Sequence, residues 1–253
     1  MVPLLVAHRG YAAKYPENTL QAVQAAVDAG ACLVEFDIQF SKDIEPVLLH
    51  DASLQRTCGV DASVFEKTCE ELQAIVANEP QRFPGKFQQA FIPSLRQAVQ
   101  LMQDNPQTKF LIEVKTESID RFGEHNINAR LATLLKDVCS QVVVISYDED
   151  LLGYLKHQSR CEVGYIMPRW NNEALARAGH LNPEYLVCNK DKIPDDYTAY
   201  GEHAWKWVVY EVTDPEEALA LGSKGVHCVE TMDIGTMLQD TRLGTRACTG
   251  EDH

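Results

Sequence analysis

Short apolar runs alternate with amphipathic helical patterns along almost the whole chain, and this alternation restricts the fold more than any other feature. Eight runs are typical of buried strands, at residues 4–7, 32–38, 110–114, 142–145, 163–167, 185–187, 207–212 and 226–229. Helical patterns occur at 19–29, 95–103, 124–138, 148–157, 171–179, 194–202 and 214–221, and Asn18 is predicted to cap the first helix. Buried strands that alternate with helices predict an α/β fold with a parallel sheet.

One apolar run, residues 46–49, breaks this alternation. It follows the second strand by too few residues for a parallel crossover, which needs about a dozen, so it is predicted to turn back as a hairpin. The segment 52–92 lacks strong periodicity, and Pro80, Pro84 and Gly85 lie within it, with Pro93 directly after it. We interpret it as an excursion or lid beside the active-site face, inserted within a single catalytic domain that spans residues 1–253.

Composition excludes several function classes. The formal net charge of −14 argues against nucleic acid or an anionic membrane as the main partner, but not against a small anionic substrate. No apolar stretch approaches the roughly 20 residues that span a bilayer, and the N-terminus shows no signal-peptide pattern. The eight cysteines have no metal-ligand spacing. We therefore expect reduced cysteines, a cytoplasmic location and no stable membrane anchoring; the oligomeric state cannot be predicted from the sequence.

Charged side chains interrupt two of the apolar strands. Side chains alternate along a strand, so Glu35 and Asp37 share one face, as do Glu113 and Lys115. Buried charges are costly unless they are paired or bind metal. If both strands end at the same rim, three carboxylates and one ammonium converge, and three oxygen ligands suit Mg²⁺, Ca²⁺ or Mn²⁺. A structural ion-pair cluster in a barrel layer is the alternative, and each strand alone leaves both interpretations open.

Two histidines follow predicted strands. His8 and Arg9 come directly after the first strand, and His50 comes after the hairpin strand. A single histidine is more often structural than catalytic, but two at strand ends beside Arg9 and the carboxylates favour catalysis. An unperturbed pKa near 6.5 suits one imidazole as general base and the other as general acid. A metal ion, Arg9 and Lys115 can stabilise the charge that develops on a phosphate. Together with the two histidines, they can support attack on a phosphodiester.

The same residues lie within an ordered series of short motifs. The series is Ala7-His8-Arg9-Gly10, Pro16-Glu17-Asn18-Thr19, Glu35-Phe36-Asp37, Lys42-Asp43, Pro46-Val47-Leu48-Leu49-His50-Asp51, Arg56-Thr57, Ile92-Pro93-Ser94-Leu95 and Ile112-Glu113-Val114-Lys115. In this order and at these spacings it resembles the glycerophosphodiester phosphodiesterase family over about the first half of the chain.

This resemblance implies a fold, an activity and residue roles. The fold is a distorted (β/α)8 barrel of the TIM type with an insertion after the second strand. The activity is hydrolysis of a glycerophosphodiester, such as glycerophosphocholine or glycerophosphoethanolamine, to sn-glycerol 3-phosphate and an alcohol. One divalent cation, Mg²⁺ or Ca²⁺ with Mn²⁺ as a further option, is the implied cofactor. The implied roles are acid/base catalysis by His8 and His50, metal binding by Glu35, Asp37 and Glu113, and phosphate binding by Arg9 and Lys115.

The second half of the chain departs from the family pattern. The usual aromatic-Thr-Val-Asn sequence of the seventh strand is replaced by Tyr210-Glu211-Val212-Thr213, and the last strand region also differs. These changes alter the rim where the alcohol part of a substrate would lie. Two alternatives therefore stay open: a lysophospholipase D-type enzyme on the same scaffold, with an apolar channel near Phe65, Phe83, Phe87 and Phe91, and a non-catalytic phosphodiester-binding protein.

Overall fold

The structure, a computed structural model, describes residues 1–159, 161–201 and 203–244. Its single sheet has nine strands, and eight of them are parallel. The strands are β1 (Leu4–Ala7), β2 (Leu33–Phe40), β3 (Pro46–Leu48), β4 (Lys109–Val114), β5 (Val142–Ser146), β6 (Glu162–Ile166), β7 (Tyr185–Asn189), β8 (Lys206–Tyr210) and β9 (Cys228–Thr231).

The sheet closes into a barrel. Its order is β1-β9-β8-β7-β6-β5-β4-β2, and β1 pairs with β2 to complete the circle. The predicted (β/α)8 barrel is therefore confirmed. The strand β3 pairs antiparallel with β2, so the predicted hairpin at 46–49 is confirmed as well.

Helices lie in most connections between the barrel strands, and one more follows the last strand. They are α1 (Leu20–Asp28), α2 (Gln55–Cys58), α3 (Cys69–Gln73), α4 (Leu95–Asp104), α5 (Thr116–Phe122), α6 (Glu124–Leu135), α7 (Glu149–Gln158), α8 (Asn172–Leu181), α9 (Pro215–Ser223) and α10 (Ile234–Gln239). Among the described residues, no helix has both the length and the apolar character needed to cross a membrane.

Two predictions about helices are wrong. Thr19, not Asn18, caps α1, because its hydroxyl oxygen accepts a hydrogen bond from the backbone amide of Ala22. The predicted helix at 194–202 is also absent: its described residues include only a single 3₁₀ turn, Ala199–Gly201, and Glu202 lies outside the described part of the chain. The short acidic side chains of Asp195 and Asp196 disfavour a helix there.

The alternation of side chains along the strands creates two apolar layers. Leu33, Leu111 and Val143 point into the barrel, whereas Phe36 and Ile112 pack between the barrel and its helices. Residues two or four positions beyond Leu33 and Leu111 on the same strands therefore also face the interior. This alternation of side chains places the polar residues at the strand ends inside the mouth of the barrel.

The insertion after β2 has a small core of its own. Val47, Leu54, Val64, Leu72 and Ile92 are buried together in this separate apolar cluster. The segment is therefore held by its own packing as well as by its contacts with the barrel.

The prediction of reduced cysteines is wrong for Cys139 and Cys161, which form a disulfide across a sequence separation of 22. They lie just before β5 and β6, and because these strands are neighbours, their starts meet. Sequence spacing alone does not reveal this contact. Cys32 is also disulfide-bonded, whereas Cys248 lies outside the described residues. The free thiols include Cys58, Cys69 and Cys188.

Gly10 provides a test of how the turn after β1 is packed. Its φ is +76°, and a Cβ there would lie 2.5 Å from the carbonyl carbon of Ala22. Because both the left-handed backbone and the clash oppose a side chain, Gly10→Ala should lower the free energy of unfolding by about 2–4 kcal/mol. Urea denaturation measures this change. In the control, Gly153→Ala, the new Cβ meets no heavy atom within 4 Å, and equal losses for the two variants would contradict the explanation.

Candidate functional site

A cavity of about 220 Å³ lies at the carboxyl ends of the barrel strands. It brings together side chains from distant parts of the sequence, because parallel strands end at the same rim. The lining residues are His8, Arg9, His50, Glu113, Lys115, Ile145, Tyr147, Ile166, Val187, Asn189, Tyr210, Glu211 and Glu230.

Three predicted metal ligands meet beside this cavity. Glu35, Asp37 and Glu113 each offer a carboxylate oxygen, and these oxygens lie within 4.8 Å of one another. Asp37 and Glu113 are direct neighbours across the β2–β4 pairing. Glu35 and Asp37 are each only 1% exposed, so they are sealed from bulk water.

Two cations compensate part of this buried negative charge. The Lys115 ammonium lies 2.7 Å from a Glu113 oxygen and 3.4 Å from an Asp37 oxygen. The Arg9 Nε lies 3.2 Å from the other Asp37 oxygen. Burial alone would raise the pKa of Asp37, but attraction to Arg9 and Lys115 overcomes it and holds that pKa below its usual range.

Asn18 and Glu17 support the cluster from the loop before α1. The Asn18 amide donates to an Asp37 carboxylate oxygen at 2.9 Å, and the Asp37 backbone amide donates to the Asn18 side-chain oxygen at 2.9 Å. Asn18 adopts a left-handed φ of 57° in this arrangement. Glu17 accepts a hydrogen bond from Arg9 at 2.9 Å and pairs with Arg56 at 2.7 Å. The resemblance motif Pro16-Glu17-Asn18-Thr19 is thus a supporting layer behind the candidate ligands.

The remaining carboxylates are harder to ionise. Burial, followed by repulsion from Asp37, raises the pKa of Glu35 well above its usual value and that of Glu113 to about 7. Burial and repulsion from Glu113 and Asp37 raise the pKa of Glu230 to about 8. Burial is the main cause of all three shifts, and repulsion among the neighbouring carboxylates adds to it.

This donor set fits one divalent cation. The four carboxylates Glu35, Asp37, Glu113 and Glu230 face the two cations Arg9 and Lys115, which leaves a surplus of two negative charges when all are ionised. The Oε1 atom of Glu35 is buried and has no hydrogen-bond partner within the described structure. An unpaired buried carboxylate oxygen is costly, and a hard cation is the ligand that oxygen donors prefer.

The two predicted catalytic histidines reach the same cavity from different elements. His50 follows β3, and its Nδ1 lies 2.5 Å from Asp51, whose second oxygen accepts from Arg56 at 2.7 Å. His8 follows β1 and is more enclosed. Burial, followed by the neighbouring Arg9 charge, lowers the pKa of His8 to about 3.

Sequence reasoning missed Glu230 as a site residue. Its carboxylate lies 3.3 Å from the Nε2 of His8 and is 3% exposed. The last strand was predicted at 226–229, but β9 runs from Cys228 to Thr231, so Glu230 lies at the strand end. The signal was a single carboxylate beside an apolar run, which is weaker than the paired carboxylates of β2. His8, Glu35 and Glu230 form a second group within 4.8 Å, although it includes an imidazole and is less suited to a hard cation.

Comparisons with known proteins assign the chain to a family. A family profile described as the glycerophosphoryl diester phosphodiesterase family matches residues 8–236. A Caldanaerobacter subterraneus protein named glycerophosphodiester phosphodiesterase is 27% identical over 255 residues, which cover 96% of this chain and 100% of that protein. A Bacillus altitudinis glycerophosphodiester phosphodiesterase is 34% identical over 118 residues, 47% of each chain.

A solved structure is also similar over nearly the whole chain. It is an Oleispira antarctica phosphodiesterase in complex with the product sn-glycerol-3-phosphate. The TM-score is 0.82 and the sequence identity is 25%, with 94% of this chain and 96% of that chain covered. A Silicibacter pomeroyi structure at 20% identity, with a TM-score of 0.83 and coverage of 98% and 96%, shares the fold.

The raised carboxylate pKa values predict how the stability of the metal-free protein depends on pH. Glu113 and Glu230 hold protons in the fold that the unfolded chain releases from about pH 4.5 upward. The stabilisation that these two protonated carboxyl groups give is therefore complete below about pH 4.5. It is lost as the pH rises through about 7 for Glu113 and about 8 for Glu230. We expect the melting temperature in EDTA to fall between about pH 5 and about pH 8.

Calorimetry of wild type and Glu113→Gln tests this expectation. The glutamine cannot ionise, so the variant should lose less stability across the same range, and a divalent cation should stabilise wild type more at the alkaline end. A melting temperature that rises with pH in both proteins would contradict the assigned protonation of the cluster.

Proposed function

Since this chain belongs to the glycerophosphoryl diester phosphodiesterase family and is a phosphoric diester hydrolase, we propose that it uses one divalent cation and two histidines to hydrolyse glycerophosphodiesters. The products are sn-glycerol 3-phosphate and an alcohol. The observation that carries the proposal is the convergence of three carboxylates, of which Glu35 and Asp37 are buried, with two histidines at and beside one cavity. The similar Oleispira antarctica enzyme, solved with sn-glycerol-3-phosphate, supports the choice of product.

Glu35, Asp37 and Glu113 would hold the cation, either Mg²⁺ or Ca²⁺, with Mn²⁺ as a further option. When bound, it would neutralise charge on the phosphate oxygens and act as a Lewis acid. The chain supplies the preorganisation: Asn18 and Arg9 fix Asp37, and Lys115 fixes Glu113. These ligands can therefore receive an ion with little rearrangement.

His8 and His50 would move the protons. One imidazole takes a proton from the attacking hydroxyl, which belongs to water or to the substrate, and the other gives a proton to the leaving alcohol. Asp51 accepts from the Nδ1 of His50, which leaves Nε2 as the nitrogen available for proton transfer. Glu230 lies beside Nε2 of His8 and would orient that ring.

Arg9 and Lys115 would bind the phosphate. Both line the cavity, and both keep their positive charge because neighbouring carboxylates raise their pKa values despite burial. Positive groups at this position stabilise the negative charge that develops on the nonbridging oxygens.

The four phenylalanines that could line an apolar channel for a lysophospholipid do not line the candidate site. Phe83 packs edge-on against Phe87 at 5.1 Å, and Phe65 packs against Phe122 at 5.8 Å, so these rings belong to the packing of the insertion and its neighbours. Neither they nor Phe91 line the cavity. A purely binding function is disfavoured because both histidines and all three carboxylates are present.

We extend the proposal to domain organisation and location. The segment 52–92 would belong to one catalytic domain with the barrel, since Arg56 pairs with Glu17 and Glu79 accepts from the Glu17 backbone amide at 2.8 Å. The cytoplasmic location stays a prediction, and the Cys139–Cys161 disulfide weighs against it because such bonds are rare in reducing compartments.

Release of sn-glycerol 3-phosphate from glycerophosphocholine tests the reaction. We expect activity that EDTA abolishes and that Mg²⁺, Ca²⁺ or Mn²⁺ restores, and His50→Ala should lower kcat by about 10²–10⁴-fold because a proton-transfer group is lost. The matched control is His157→Ala, an exposed histidine on α7, which should keep wild-type activity.

Other outcomes are equally informative. Turnover that survives EDTA and full metal removal would contradict the proposed cofactor. Metal-dependent activity that survives in His50→Ala would contradict the role of that histidine. Faster hydrolysis of the acylated choline diester than of glycerophosphocholine would favour the lysophospholipid alternative.

A further inference from the structure

The cavity has two chemically different halves. His8, Arg9, His50, Glu113, Lys115 and Glu230 form the half where phosphate chemistry is proposed. The other half is lined by Tyr147, Asn189, Tyr210 and Glu211, above an apolar floor. Since the phosphate must lie in the first half, this second half is where another part of the substrate lies.

Glu211 is held at this position at a cost in backbone energy. Its φ of +68° lies in the left-handed region, which residues other than glycine rarely adopt. Asn189, at the end of β7, donates to its carboxylate at 2.9 Å. Such strain persists where the surrounding structure imposes it, and it clusters at ligand-binding sites.

The Glu211 carboxylate has no cationic partner within the described part of the chain. The nearby Lys190 ammonium is instead bound to Glu217, at 2.9 and 3.0 Å from its two oxygens. The two cations that line the cavity, Arg9 and Lys115, are paired with other carboxylates. A carboxylate fixed by an amide donor and lacking a cation offers a site for a positive ligand.

Two aromatic rings lie on the same side of the cavity. The hydroxyl groups of Tyr147 and Tyr210 lie 3.3 Å apart, and both residues line the cavity together with Glu211. Aromatic rings beside a carboxylate are the combination that binds substituted ammonium groups, since the ring face attracts a cation without demanding a hydrogen bond.

We propose that Tyr147, Tyr210 and Glu211 form a subsite that binds the ammonium group of a cationic alcohol, so that the protein discriminates diesters of cationic alcohols from diesters of uncharged ones. This inference rests on the proposed hydrolase function and names its substrate class. A zwitterionic diester has no net charge and enters the field of a chain with net charge −14 without repulsion. A diester of an uncharged polyol is an anion, and it brings no cation to Glu211.

The test compares glycerophosphocholine with glycerophosphoglycerol, whose alcohol is uncharged. In Glu211→Gln, which keeps the size and an acceptor oxygen for Asn189, kcat/KM for glycerophosphocholine should fall roughly five- to tenfold. That for glycerophosphoglycerol should stay unchanged or rise. Glu216→Gln is the control, because this exposed carboxylate pairs with Arg242 and does not line the cavity.

Each result decides the matter. Equal losses for both substrates, or a loss for glycerophosphoglycerol alone, would overturn the cationic subsite in favour of a hydroxyl-binding one, and unchanged kcat/KM values for both would overturn it as well. If wild type hydrolyses neither diester, the proposed function fails, and calorimetric titration with the same two compounds still tests the subsite. Tighter binding of glycerophosphocholine that Glu211→Gln removes would support it, and indistinguishable dissociation constants would overturn it.

Discussion

The surplus of buried negative charge at one end of the barrel governs the organisation of the site. Glu35 and Asp37 are almost completely sealed from solvent, so their charges must be compensated by neighbours. Arg9 and Gly10 both have left-handed φ values, in the turn that places the arginine beside the carboxylates. Asn18 does not cap the following helix, and its side-chain amide binds Asp37 instead. Local backbone preferences are thus subordinate to the electrostatic needs of this cluster.

Much of this arrangement could be predicted from the sequence because it depends on strictly local periodicity. Alternation along a strand is enough to place Glu35 and Asp37 on one face, and the rule that parallel strands end together brings Glu113 to them. His8 and His50 were recognisable because they follow apolar runs directly. The same rules do not determine side-chain partners, so the switch from Asn18 to Thr19 as helix cap was missed.

The second half of the chain was harder to predict for physical reasons. Glu230 lies close to His8 in space, but His8 is more than two hundred positions earlier in the sequence. Only the pairing of β9 with β1 brings the two side chains together. The disulfide likewise depends on two strands being neighbours. At 194–202 the helical pattern was weakened by Asp195 and Asp196, and the two tyrosines there pack against Trp207, with the ring centroids of Tyr197 and Tyr200 5.8 and 5.3 Å away.

Glu17 joins two parts of the molecule that fold around separate apolar cores. It holds Arg9 of the barrel and Arg56 of the insertion at the same time, and Arg56 also holds the aspartate behind His50. The insertion thus contributes ion pairs directly to the side chains around the candidate site. Local opening of that segment would release the ion pairs that hold both His50, the proposed proton-transfer group, and Arg9, the proposed phosphate ligand, so that on this proposal activity would be lost while the barrel itself is still folded.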